Sequence, residues 1–343
     1  MTNIYLGEKP NSYTFTKLYS SIDICKVSLY DTEDVIDPTT RKGAYEREDH
    51  SVKKQKNAVI LAHYYAPAEI QEVADHVGDS FYLAKVAKAC QEDVIVFCGV
   101  EFMGESAKIL NPEKKVLVLD PGADCPMAHM VKPGRIQQMR DKYEDLAVVC
   151  YINSTAELKC QSDVCVTSSN AVKIVKRLPN QNIFFIPDQN LGRHVAQQVP
   201  EKNIILNDGY CPIHAAITPE QVKEEKKQHP NAKVLSHPEC EEPVLAISDY
   251  IGSTADIIRY VSESADTEFI ICTEFGVEYE LKKENPGKQF YFPSPCPYCH
   301  DRKKNTLERL VYVLETGDNE VFVSHELTQG AHKALDKMLE LAK

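Results

Sequence analysis

Residues 58–98 read AVILAHYYAPAEIQEVADHVGDSFYLAKVAKACQEDVIVFC, and this stretch decides the fold class. It opens on an unbroken apolar run that stops at His63. Asp75 then stands five residues before Ser80, the amphipathic segment FYLAKVAKA follows, and a second apolar run, VIVFC, closes the stretch. Short apolar runs bounded by polar residues read as strands buried on both faces, and the segment between them has a helical period. Strand and helix alternating in this way predict parallel α/β layers, with functional side chains at the carboxyl ends of strands.

Working outward, the same order of segments occurs three times. First strands end at His63, at Asn153 (LAVVCYIN) and at His237 (AKVLSH); Tyr65, Tyr151 and Glu239 lie two residues from those ends. The segments DHVGDS, DVCVTS and DYIGST each place an Asp five residues before a hydroxyl: Ser80, Ser168 and Thr254. A helix, a second strand and a third strand follow each time, and soon after the third comes a cysteine: Cys125, Cys211, and the pair Cys296 and Cys299. The hydroxyls are 88 and 86 residues apart, and Cys125, Cys211 and Cys299 are 86 and 88 apart. Two matched series of different chemistry mark an internal triplication.

The expected fold class is therefore α/β, with three similar three-layer α/β domains arranged around a pseudo-threefold axis. The units span 57–127, 128–213 and 214–302. Residues 303–343 hold two helical segments expected to pack on the first unit, and residues 1–56, polar and charged, form an N-terminal extension.

Composition narrows the function. The net charge of −12 argues against nucleic acid, which needs clustered Lys and Arg. No apolar run reaches the roughly 18 residues of a membrane span. The start, MTNIYLGEKPNSYTF, lacks a basic stretch followed by an apolar one, so a cytoplasmic address is expected. With 12 cysteines and no leader, reduced thiols for metal or catalysis are expected over a disulfide framework. Cys296-Pro-Tyr-Cys299-His300 matches the string of c-type haem attachment, but haem attachment would ordinarily require export. A redox CxxC stands near the start of its fold, whereas here the chain soon ends in helices.

Three thiolates converging from equivalent positions suit an iron–sulfur cluster with one open iron, Cys125, Cys211 and Cys299 being the expected ligands. Zinc accepts three thiolates and a His as well, so ligand type leaves the metal open. Periodicity favours Cys299 as the third ligand, whereas matching the Cys-Pro string would put it at Cys296; with Cys299 as ligand, Cys296 is expected to be a neighbour able to pair with it in a disulfide when no cluster is bound. Ser80, Ser168 and Thr254 sit where helices begin, and are expected both as N-caps and as anion-holding groups at helix N-termini. His63, Asn153 and His237 are expected to line the same cavity, and His214 follows Cys211 by three residues. A Glu beside such histidines suits general acid–base work.

Taken together, ILAHYYAPAEIQEVADHVGDS, FMGESAKILNPEKKVLV, SDVCVTSSNAV, PDQNLGRHVA, GYCPIH, LSHPEC and IGSTADIIRYV resemble the signatures of the quinolinate synthase family from about Asn57 onward. The resemblance implies a [4Fe–4S] cluster bound by three cysteines, with Cys125 and Cys211 matching its first two ligands. It implies an enzyme that condenses iminoaspartate with dihydroxyacetone phosphate to quinolinate for NAD synthesis, with an iminoaspartate-producing oxidase as a candidate partner. His63, Tyr65, Ser80, Tyr151, Asn153, Ser168, His214, His237, Glu239 and Thr254 match its substrate-pocket positions. Glu239, Tyr65, His214 and His237 are the implied proton-moving groups. One segment departs from the family: CPYCHDRKKNTL stands where a C-P-x-M-K type sequence is usual. A zinc-dependent lyase or aldolase acting on phosphorylated sugars, and an iron–sulfur sensor, are the competing readings.

Overall fold

The computed structural model describes residues 52–343; most of the expected extension, 1–56, lies outside them. The first sheet contains β1 (Ala58–His63), β2 (His76–Gly78), β3 (Val94–Cys98) and β4 (Lys115–Val118), in the order β2-β1-β3-β4. The second holds β5 (Leu146–Tyr151), β6 (Val164–Val166), β7 (Asn182–Ile186) and β8 (Asn203–Leu206), in the order β6-β5-β7-β8. The third holds β9 (Lys233–Ser236), β10 (Tyr250–Ile251), β11 (Glu268–Cys272) and β12 (Gln289–Tyr291), in the order β10-β9-β11-β12. Every pairing is parallel. The chain thus builds the same small α/β unit three times.

Each unit has four strands where the sequence pattern predicts three. The extra one is a two- or three-residue edge strand, too short to carry a period. It is held by the Asp that precedes it. Asp75, Asp163 and Asp249 accept from the backbone N–H of Ile60, Val148 and Val234 at 2.8, 2.7 and 2.8 Å. Their own N–H groups donate to the carbonyls of the same three residues. The repeated Asp is therefore a clamp between the edge strand and the central one.

β1 and β5 are buried along their whole length. Side chains of a strand alternate between faces, and in the first sheet the alternation sorts two cores. Val59, Leu61, Ile95 and Phe97 face one, while Ala58, Ile60, Ala62 and Val96 face the other. The second face is covered by Leu310, Val313 and Leu314 from the C-terminal segment. Burying one such side chain is worth roughly 1.5–3 kcal/mol.

The helices that follow the edge strands are α1 (Ser80–Ala89), α2 (Ala171–Arg177) and α3 (Thr254–Glu263); the chain ends in α4 (Leu307–Thr316) and α5 (His325–Leu341). Of the two C-terminal helices, α4 supplies the residues over the first sheet. In α5, Ala331, Ala334, Leu335 and Met338 recur at helical spacing and enter the core shared with Val164, Cys165 and Val166 of the second sheet. That helix approaches so closely that a Cβ on Gly330 would collide with Cys160 Sγ. Among the described residues, no helix is long and apolar enough to cross a membrane.

Candidate active site

In an open parallel sheet the ligand crevice lies at the carboxyl ends of strands, where the strand order reverses. Here that point falls between β1 and β3, β5 and β7, and β9 and β11. Pairing of Ala62 with Cys98, Cys150 with Ile186 and Ser236 with Cys272 makes His63, Tyr151 and His237 the equivalent next residues. Tyr65, Asn153 and Glu239 are then equivalent two positions on. The sequence reading had grouped Asn153 with the histidines. The register moves it, because strand β5 ends at the buried Tyr151 and not at the first polar residue.

Side chains from all three units line one cavity. The first contributes His63, Tyr65, Ser80 and Cys125, and the second Tyr151, Asn153, Ser168 and Cys211. His214, His237, Glu239, Thr254 and Cys299 complete it. Asp79, Thr167, Glu274 and Arg302 share the wall and were missed by sequence reasoning. Of these, Glu274 left a signal: with Thr273 it follows the apolar run EFIIC, at another strand end.

The hydroxyls are not the helix caps they were expected to be. Asp79 caps α1, accepting from Tyr82 N–H, and Ser253 caps α3 in a capping box with Asp256. Asn170 occupies the cap position of α2. Ser80 and Thr254 are the first residues inside their helices, and Ser168 precedes its cap. Relieved of capping, all three hydroxyls stand at the cavity wall.

Two turns fix the histidines. Tyr65 N–H donates to His63 Nδ1 at 3.1 Å, and Glu239 N–H donates to His237 Nδ1 at 3.3 Å. With Nδ1 accepting, each neutral ring carries its proton on Nε2. Burial holds both rings neutral: it lowers His63 well below its ordinary value and takes His237 down to about 3 despite Glu239. Burial also raises the Tyr65 and Tyr151 phenols, so both remain hydroxyl donors.

A continuous hydrogen-bonded chain crosses the site. Tyr65 Oη lies 2.6 Å from Thr254 Oγ1 and 2.8 Å from Thr273 Oγ1. Thr273 Oγ1 lies 2.8 Å from His214 Nε2, and His214 Nδ1 lies 2.7 Å from Glu239 Oε2. Burial opposes the Glu239 charge, but His214, hydrogen-bonded to it, outweighs the burial and holds the carboxyl below its usual range. Its second oxygen, Oε1, and Asn153 Oδ1 are buried acceptors without a hydrogen-bond partner among the described residues. Buried polar atoms are normally satisfied, so both acceptors are available to a molecule in the cavity.

The expected [4Fe–4S] cluster on Cys125, Cys211 and Cys299 is corrected by the ligand geometry. Among the described residues, the metal-ligating atoms that lie within 4.8 Å of one another are those of Cys211, His214 and Glu239. Cys125 and Cys299 are outside that group. His214 stands on the short helix Pro212–Ala215, which Cys211 immediately precedes, with its Nδ1 3.2 Å from Sγ, and Glu239 reaches in from the strand end after Ser236. Equal spacing along the chain brings three thiols to one wall without setting the distances between donor atoms. Burial raises all three thiols alike, Cys125 to about 12. Cys299 carries a free thiol.

Known proteins are similar to the chain across nearly all the described residues. The family described as Quinolinate synthetase A protein (NadA) matches residues 48–340. The chain is 53% identical over 291 residues to a quinolinate synthase of Fusobacterium nucleatum, covering 85% of this chain and 97% of that protein. It is 52% identical over 296 residues to the quinolinate synthase of Caldicellulosiruptor saccharolyticus, covering 86% and 98%. It is 44% identical over 302 residues to that of Aquifex aeolicus, covering 87% and 94%.

Proposed function

The chain belongs to the quinolinate synthetase A family and is a biosynthetic enzyme of quinolinate and hence NAD formation, and from that premise we propose that it condenses iminoaspartate with dihydroxyacetone phosphate. The products are quinolinate, inorganic phosphate and water, made in the cytoplasm, with the iminoaspartate-forming oxidase as the upstream partner. The three units close around the cavity with pseudo-threefold symmetry in this reading.

The observation that carries the proposal is the chain from Tyr65 through Thr273 and His214 to Glu239, ending in a carboxylate oxygen without a partner. Condensation and ring closure remove protons from carbon or nitrogen and deliver them to departing hydroxyls. Glu239, held ionised, accepts a proton; His214 and Thr273 connect it to Tyr65, whose phenol remains a donor. The Nε2–H groups of His63 and His237 and the hydroxyls of Ser80, Ser168 and Thr254 orient substrate oxyanions, and Asn153 Oδ1 accepts from the imine or amine nitrogen. Excluding water from such a buried site strengthens each of these contacts. Cys211, His214 and Glu239 could together hold a metal ion; none of these steps is routed through one.

The test is direct. The full chain, purified without oxygen so that its free thiols stay reduced, is given both substrates and quinolinate is measured by chromatography. Quinolinate should form only when both are present. Turnover of either substrate alone to another product, with no quinolinate, would defeat the proposal.

A further inference from the structure

Three consecutive cations, Arg302, Lys303 and Lys304, form a single turn after Cys299, within the segment that departs from the family pattern. Two are paired. Lys303 Nζ lies 3.0 Å from Glu274 Oε1 and donates to the Tyr65 carbonyl, and Lys304 pairs with Asp301 at 2.7 Å. Arg302 is the most buried of the three, 6% exposed, yet among the described residues no carboxylate stands within 4.0 Å of it. One N–H donates to Met103 Sδ at 2.8 Å. The guanidinium carbon lies 5.8 Å from the Tyr65 ring centre and 5.9 Å from that of Phe102. The backbone is pinned as well, since Asn305 Nδ2 donates to the carbonyls of both Arg302 and Gly99.

A guanidinium has five N–H donors in a planar fork. Burying it with one of them on a thioether, and no counter-charge, is costly unless something else supplies the charge. Arg302 lines the central cavity, whose wall also carries the carboxylates of Asp79, Glu239 and Glu274. Two anionic substrates must enter that field. The Lys303 charge is already committed to Glu274, so Arg302 is the cation left to meet them.

Resting on the functional reading above, we infer that Arg302 is a substrate-binding residue that takes one oxyanion group of the substrates, carboxylate or phosphate, through its open N–H fork. The two aromatic faces and Met103 hold the fork in position. Its role is recognition, and proton movement stays with Glu239 and its partners.

The test uses the full chain and two probes, inorganic phosphate and malate, titrated calorimetrically at fixed ionic strength. Wild type should bind at least one of them. Arg302→Met should lose at least ten-fold in affinity for that probe, Arg302→Lys should lose less, and the melting temperature of Arg302→Lys should match wild type. The probe that responds identifies the group: phosphate for the triose phosphate, malate for the dicarboxylate. In turnover, KM for the matching substrate should rise while KM for the other stays. If Arg302→Met does not fold, Arg302→Lys and Arg302→Gln carry the comparison. Wild-type affinity for both probes in the folded variants, or no binding of either probe by wild type, would overturn the inference. Arg302-dependent binding in a chain that makes no quinolinate would defeat the functional reading and leave this one standing.

Discussion

Thr254 and Ser253 are adjacent, both buried, and predicted to fail in different ways. Ser253 caps α3: its Oγ accepts from Asp256 N–H at 3.2 Å, and Asp256 Oδ2 accepts in return from Ser253 N–H at 3.1 Å. Ser253→Ala should cost about 1 kcal/mol of stability, within the 0.5–2 kcal/mol range for lost caps. Thr254 Oγ1 makes its contact with Tyr65 Oη at 2.6 Å, and Tyr65 keeps Thr273 at 2.8 Å when that contact is removed. Thr254→Val preserves shape and orphans no buried donor, so its stability cost is again about 1 kcal/mol, the net worth of one hydrogen bond. Each variant should melt a few degrees below wild type, and stability will not separate them. Kinetics will. Thr254→Val should lose at least ten-fold in kcat/KM, about 1.4 kcal/mol of transition-state stabilisation, with Ser253→Ala within two-fold of wild type. Quinolinate formation is followed at a temperature well below both melts. Full kcat/KM in Thr254→Val, together with a ten-fold loss in Ser253→Ala, would show that the cap and not the hydroxyl matters, and would refute the assignment.

Glu239→Gln keeps the size of the side chain and removes the charge beside His214; kcat should fall at least a hundred-fold while the protein still folds by circular dichroism, and a loss under three-fold would remove Glu239 from proton transfer. His237, at about 3 in the fold against an ordinary 6.5, binds protons between roughly those pH values only when the chain unfolds. Its contribution to stability is therefore complete above about pH 6.5 and is lost as the pH falls toward 3. The stability gap between wild type and His237→Gln should narrow from pH 7.5 to pH 4 in chemical denaturation, and a constant gap would contradict the buried neutral ring. Replacing Asp75, Asp163 or Asp249 with Ala strips an acceptor from a central-strand N–H and should cost about 1–3 kcal/mol each. The three losses should agree within a factor of about two, and a cost confined to one unit would mean that the clamps are not equivalent.

The sequence by itself determined the unit and its repetition. Apolar runs such as AVILA and VIVFC have no choice but to be buried on both faces, and the helix between them has one apolar side, so the layer order follows from local chemistry. The same reading picked thirteen polar or thiol residues that the fold brings to one cavity wall, because strand ends and the turns after them are where an α/β chain must leave its core. What it could not determine were quantities set across units. The equivalence of Tyr151 with His63 and His237 is a matter of strand register, invisible until β5 is paired with β7. The caps passed to Asp79, Asn170 and Ser253 because backbone angles at each helix entry, not residue type alone, choose the capping position. The edge strands are held because the Asp just before each one binds a backbone N–H of the central strand. Cys211, His214 and Glu239 form the close ligand group, with Cys125 and Cys299 outside it, because donor-to-donor distances depend on how separate units pack. Arg302 has no periodic partner at all, and its unpaired charge has meaning only once the carboxylates around it are counted in space.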